Sequence, residues 1–145
     1  MKPTRAQNYF LHEEYGVGRY GADYFDYILD IGANIGEYTI AFSSLFPSAK
    51  IFAYEPVGAA FERLKLNLRS TLPHRQYNNI KIFKEALGDG DDKKVTNTLH
   101  TWSNYVMEDE VAESWPRQKC ESVKTKTFKQ IIQDNNIDLN KNILL

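Results

Sequence analysis

Cysteine is nearly absent from this chain: Cys120 is the single one in 145 residues. A lone cysteine excludes an internal disulfide framework and suits a reducing compartment, so a cytoplasmic location is expected. Long apolar runs are missing too. None approaches the roughly 20 residues of a membrane span, and the N-terminal MKPTRAQNYFLHEEYG lacks the apolar centre of a signal peptide. No membrane partner is expected. There is no excess of charge: 18 Lys and Arg stand against 19 Asp and Glu, a formal −1. Without a basic field, nucleic acid is not an expected partner. His12, His74 and His100 are isolated and lack the spacing of a metal site. No internal repeat or low-complexity tract interrupts the chain. The length suffices for one domain with a modest core.

The informative run is YILDIGANIGEYT, from Tyr27 to Thr39. It reads as a short apolar strand, a tight glycine turn and the start of a helix. A second strand, KIFAYEP, follows and ends in Glu55. Strand, glycine loop, helix, strand and terminal acid describe one half of a nucleotide-binding α/β fold. Gly32 and Gly36 let the backbone turn sharply and a ligand sit close. Glu55 would accept hydrogen bonds from ribose hydroxyls. The loop is G-A-N-I-G, with Asn34 where the dinucleotide fingerprint requires glycine. Asp30 lies two residues before Gly32, where a carboxylate would repel pyrophosphate and suit a cationic ligand.

The periodicity predicts strands over Tyr27–Ile31, Lys50–Tyr54 and Ile80–Leu87, and helices over Gly36–Phe46 and Gly58–Leu72. Pro73–Asn79 reads as a loop and GDGDD, Gly88–Asp92, as a turn. Lys93–His100 and Glu121–Thr127 read as strands, Phe128–Asn135 as a short helix, and Asn142–Leu145 as the start of another strand. A short helix is expected near Gln7–Glu13, while Ser103–Trp115 suits either a loop or a short acidic helix. The division is a helix and loop segment over 1–26 and a ligand-binding unit over 27–145. The tyrosine and glycine run at 15–24 carries no motif; a lid and an ordinary loop both fit it.

The segment D-x-G-A-N-x-G resembles motif I of class I S-adenosylmethionine-dependent methyltransferases. Four segments in order resemble the FkbM family of that class: LDIGANIGEYT (29–39), IFAYEP (51–56), IKIFKEALGD (80–89) and VKTKTFKQIIQDNNID (123–138). The resemblance spans roughly residues 27 to 145. It implies an α/β fold, a Rossmann-like class I methyltransferase sandwich with a mostly parallel sheet, here truncated after the start of strand four. The family's K-I-D-x-E/Q-G motif of that strand is not found, so an exposed sheet edge and self-association through it are expected.

The cofactor implied by the resemblance is S-adenosyl-L-methionine, and the implied binding residues are Asp30, Gly32, Ala33, Asn34, Gly36, Glu55, Pro56, Ala86 and Leu87. Asp30 would orient the methionine end, and Ala86 and Leu87 would pass the adenine ring. Each has a plainer reading. Asp30 could be a helix cap or a salt-bridge partner, Asn34 a residue that tolerates a left-handed turn, and Asp89 a turn cap. Thr39 is expected to satisfy its own helical turn. The implied reaction is methyl transfer to a hydroxyl of a small-molecule acceptor such as a sugar or polyketide, with no metal and no assigned base. The alternatives are a cofactor-binding relative without turnover and an unrelated nucleotide-binding α/β module.

Overall fold

Residues 27–31 are apolar except for one acid, and in the computed structural model, which describes residues 16–96, 106–107 and 120–145, they form the heart of a parallel sheet. Strand β1 (Tyr27–Ile31) lies between β2 (Lys50–Tyr54) and the two-residue β8 (Ile143–Leu144); β3 (Ile80–Phe83) completes the order β3-β2-β1-β8. Tyr27 faces Lys50 on one side and Ile143 on the other, and all three pairings are parallel.

Parallel strands need cover on both faces, and the alternation of the pleat provides two sets of apolar side chains. Ile28 and Ile51 pack against Phe42 and Phe46 of helix α1 (Glu37–Leu45) and its end. Ala53 meets Leu64 and Leu68 of α2 (Gly58–Thr71). Leu29, Phe52 and Tyr54 point the other way, onto Ile131 of the last helix and the following Ile137. The architecture is the expected one: a Rossmann-like α/β layering around a mostly parallel sheet.

Four details differ from the sequence-based expectation. Pro73–Asn79 is not all loop: α3 (His74–Tyr77) forms after Pro73, whose carbonyl accepts from Gln76 and Tyr77. Proline fits a helix start because its missing N–H is not needed there. Ile80–Leu87 is not one strand. It breaks at Lys84, and β4 (Glu85–Leu87) joins a second sheet. The reason is the partner: the Glu55 amide donates to the Phe83 carbonyl, after which the β2 chain turns into α2 and leaves β4 nothing to pair with. The second sheet has the order β4-β7-β5-β6, with β5 (Lys93–Thr96), β6 (Val106–Met107) and β7 (Cys120–Lys126). β4 pairs with β7 in parallel, while β5 runs antiparallel to both of its neighbours. Thr127 leaves the expected strand to cap α4 (Phe128–Asp134), its hydroxyl taking the Gln130 amide while the Gln130 side chain takes the Thr127 amide.

The run at 17–25 sits far from the strand ends that carry the loop. Val17 and Phe25 join the core beside Phe46 and Ala49, with Phe25 and Phe46 edge to face at 5.0 Å. This segment plugs the end where β1 and β2 begin, which removes the lid reading. The expected helix at Gln7–Glu13, residues 97–100 of the expected strand, and most of Ser103–Trp115 lie outside the described residues. Among the described residues, no helix is long and apolar enough to cross a membrane.

Candidate functional site

The chain leaves β1 through Gly32 at φ 82°, passes Asn34 at φ 49° and starts α1 after Gly36 at φ 90°. Three left-handed residues in five make the turn tight. Glycine adopts this region freely and asparagine tolerates it, so the turn-conformation reading of Asn34 holds. Gly36 also has a packing reason: a Cβ there would stand 2.6 Å from Leu64 Cδ1 in the core.

Four of the loop's amides are engaged within the protein. Gly32 and Ala33 both donate to the Tyr54 carbonyl, at 2.8 and 2.9 Å, and Gly36 donates to the Ala33 carbonyl at 2.8 Å. Asn34 donates to Glu55 Oε2 at 2.7 Å. A phosphate cradle works by aiming free N–H groups at the ligand; this loop has turned four of them to other acceptors. Those four amides are not available to a pyrophosphate, and the neighbouring carboxylates repel it.

Glu55 is 5% exposed and joins both strand–helix turns. Its Oε2 holds the Asn34 amide, and its Oε1 accepts from Val57 at 2.8 Å, just before α2. Burial pushes its pKa up, opposed by those two backbone bonds; the charges of Asp30 and Glu121 push it up further. Pro56, half-buried, follows it into the turn.

Asp30 is 9% exposed and sits on the α1 side of the sheet. Among the described residues it is neither a helix cap nor a salt-bridge partner. Its Oδ2 accepts from Thr39 Oγ1 at 2.5 Å. Burial raises its pKa, and the Thr39 hydrogen bond works against that rise. Beside it opens a cavity of about 210 Å³, lined among others by Asp30, Gly32, Tyr38, Phe42 and Leu144. That is below the roughly 300–1,000 Å³ of a whole ligand pocket, so it suits one end of a ligand. Among the described residues no Lys or Arg pairs with Asp30 or Glu55. Two enclosed carboxylates without a cation among the described residues, one of them lining a cavity, carry a desolvation cost that a positive charge placed beside them would offset.

Asp30, Gly32, Ala33, Asn34, Gly36, Glu55 and Pro56 are thus drawn together at the carboxyl ends of β1 and β2. Of the nine expected residues only Asp30 and Gly32 line the cavity, and Ala86 and Leu87 stand apart from the loop cluster as well. They lie in β4, opposite Thr125 and Lys126 of β7, Ala86 buried and Leu87 39% exposed. Asp89 serves its turn: Oδ1 accepts from Asp91 at 3.0 Å and Oδ2 meets Lys93 Nζ at 3.1 Å. Two residues with a part in the loop escaped the sequence reading. Thr39 reaches across to Asp30 instead of satisfying its own turn. Asn67 of α2 donates to the Ile35 carbonyl at 2.8 Å. A hydroxyl in the first turn after the glycine loop was the signal for Thr39; no sequence pattern pointed to Asn67.

No protein-family profile matches the chain. Among curated proteins, the AMB antimetabolite synthetase AmbE of Pseudomonas aeruginosa is 28% identical over 78 residues, which are 54% of this chain and 3% of that protein. Among solved structures, the methyltransferase FkbM of Methylobacillus flagellatus is similar with a TM-score of 0.46 and 19% identity, over 59% of this chain and 23% of that one. An uncharacterized protein from Burkholderia thailandensis is similar with a TM-score of 0.42 and 11% identity, over 94% of this chain and 39% of that one. The chain spans well under half the length of each.

Proposed function

We propose that this chain binds S-adenosyl-L-methionine at the carboxyl ends of β1 and β2 and serves an FkbM-like methyl transfer to a hydroxyl of a small metabolite. One observation carries the reading: two enclosed carboxylates, Asp30 and Glu55, which no Lys or Arg pairs with among the described residues, flank a loop four of whose amides are already engaged. Such a site favours a ligand with positive charge and no phosphate. S-adenosylmethionine has a sulfonium, an ammonium and a ribose. The residues fit it: Asp30 lines a cavity sized for the amino-acid end, and each Glu55 oxygen keeps a second lone pair for a ribose hydroxyl.

The bound cofactor would supply a methyl group already activated on sulfur. The protein's share is then mostly proximity and alignment. Gly32 allows close approach, Glu55 holds both turns in one register, and Asp30 orients the positive end. Tyr38 and Phe42 wall the cavity on the α1 side.

The test is calorimetric titration of the full chain with S-adenosylhomocysteine, with NAD as control. Saturable binding of the first alone is expected, and Asp30→Ala and Glu55→Ala should weaken it more than they weaken folding. Binding of NAD alone would replace the reading with an unrelated nucleotide-binding module. S-adenosylhomocysteine binding with no methyl transfer to any of a panel of sugars and alcohols would point instead to a cofactor-binding relative without turnover.

A further inference from the structure

Thr39 is fully buried in the first turn of α1. A threonine hydroxyl in a helix ordinarily bonds back to the carbonyl three or four residues earlier. Here each of those carbonyls accepts one donor and keeps a second lone pair, yet the hydroxyl goes elsewhere. The Gly36 oxygen takes the Ile40 amide at 2.9 Å, and the Ile35 oxygen takes the Asn67 side chain at 2.8 Å. The Thr39 hydroxyl turns to the sheet and donates to Asp30 Oδ2. A hydroxyl has one proton to give, so it engages one carboxylate oxygen and fixes the plane of the group. Oδ1 makes no hydrogen bond among the described residues, and Asp30 lines the cavity.

We infer that Thr39 is a positioning residue for ligand recognition: by holding Oδ2 it presents Asp30 Oδ1 to the ammonium end of the ligand in the cavity. The inference rests on the proposed function and deepens it, because it names the residue that orients Asp30 toward the ligand.

The experiment compares two ligands that differ only at that end. S-adenosylhomocysteine carries the amino-acid group; 5′-methylthioadenosine lacks it. Calorimetry on the full chain should show Thr39→Val weakening the first by about tenfold or more, the scale of a hydrogen bond to a charged group, with the second unchanged. Thr39→Ser, which keeps the hydroxyl, should restore the first. Loss of both ligands in equal measure, or of neither, overturns the inference.

A ligand-free arm separates it from the proposed function. The Asp30 carboxyl carbon is titrated by NMR in the wild type, Thr39→Val and Thr39→Ser. The groups around it are Glu55 from β2, Tyr38 from α1, and the apolar Leu144 of β8. Thr39→Val should move the Asp30 midpoint upward and Thr39→Ser should not; an unmoved midpoint in Thr39→Val overturns the inference. A folded wild-type chain that binds neither ligand overturns the proposed function, and the titration still decides whether Thr39 governs Asp30.

Discussion

A carboxylate as enclosed as Asp30, with no cation beside it among the described residues, costs stability at neutral pH. Asn in its place keeps an oxygen for Thr39 and drops the charge. Asp30→Asn should therefore raise stability by on the order of 1 kcal/mol while losing S-adenosylhomocysteine binding; chemical denaturation and calorimetry on the same preparation check both halves. The pH dependence follows with a definite sign. Asp30 and Glu55 are raised above their ordinary values of 3.8 and 4.5. From those values up to the raised ones, the folded chain holds protons that the unfolded chain has released. Stability falls as pH rises through that window. Melting temperature should increase on acidification from neutral toward the lower edge of that window, and the slope should flatten in Asp30→Asn. Part of this was readable in advance. Asp30 and Glu55 stand out in the sequence because acids rarely end apolar strands. Their partners do not stand out, because the Glu55 oxygens are claimed by backbone amides of Asn34 and Val57, and every residue but proline carries such a donor.

At the scale of elements, the strand–loop–helix step from Tyr27 to Leu45 is the most constrained. Gly36→Ala should destabilise by about 2 kcal/mol or more, since a left-handed φ and an approach to buried Leu64 act together. Urea unfolding measures it. At α4, Thr127→Ala removes a capping box and should cost about 1 kcal/mol, with no change in ligand affinity. The helices and the first two strands were legible because apolar spacing and the flanking glycine and proline mark them locally. The break at Lys84 was not. A run such as IKIFKEAL has strand character throughout, and only the position where β2 stops offering carbonyls and amides decides where the first sheet loses it.

Across the whole molecule, two sheets meet around the start of α2. The Gly58 amide donates to Glu121 Oε1 of β7, Lys84 Nζ lies 3.5 Å from Glu121 Oε2, and Val57, Ala60 and Val123 form a small apolar cluster there. On the far side Lys126 of β7 joins Glu85 at 3.3 Å and Asp134 at 2.6 Å. Amide exchange should be slowest in β1 and β2, which are paired on both sides and covered on both faces, and fastest at the two-residue strands β6 and β8. Site architecture of this kind is beyond local sequence reading: Glu121 is 63 residues from Gly58 and no motif links them.

The place of β8 beside β1 bears on how the molecule assembles. Asn142 reaches back to Asp26 across 116 residues, whereas β2 returns to β1 after a single helix. Closing a loop costs about 0.6 kcal/mol more for each doubling of its length, and the longer loop is more than two doublings beyond the shorter. The β1–β2–β3 core is then free to form early and β8 to dock last, since long-range pairings are slow. Until it docks, the flank of β1 offers unpaired backbone to any neighbouring chain. Refolding yield should therefore fall as protein concentration rises, through off-pathway association of half-assembled chains. Stopped-flow refolding across a dilution series would time the interval during which that flank stands open.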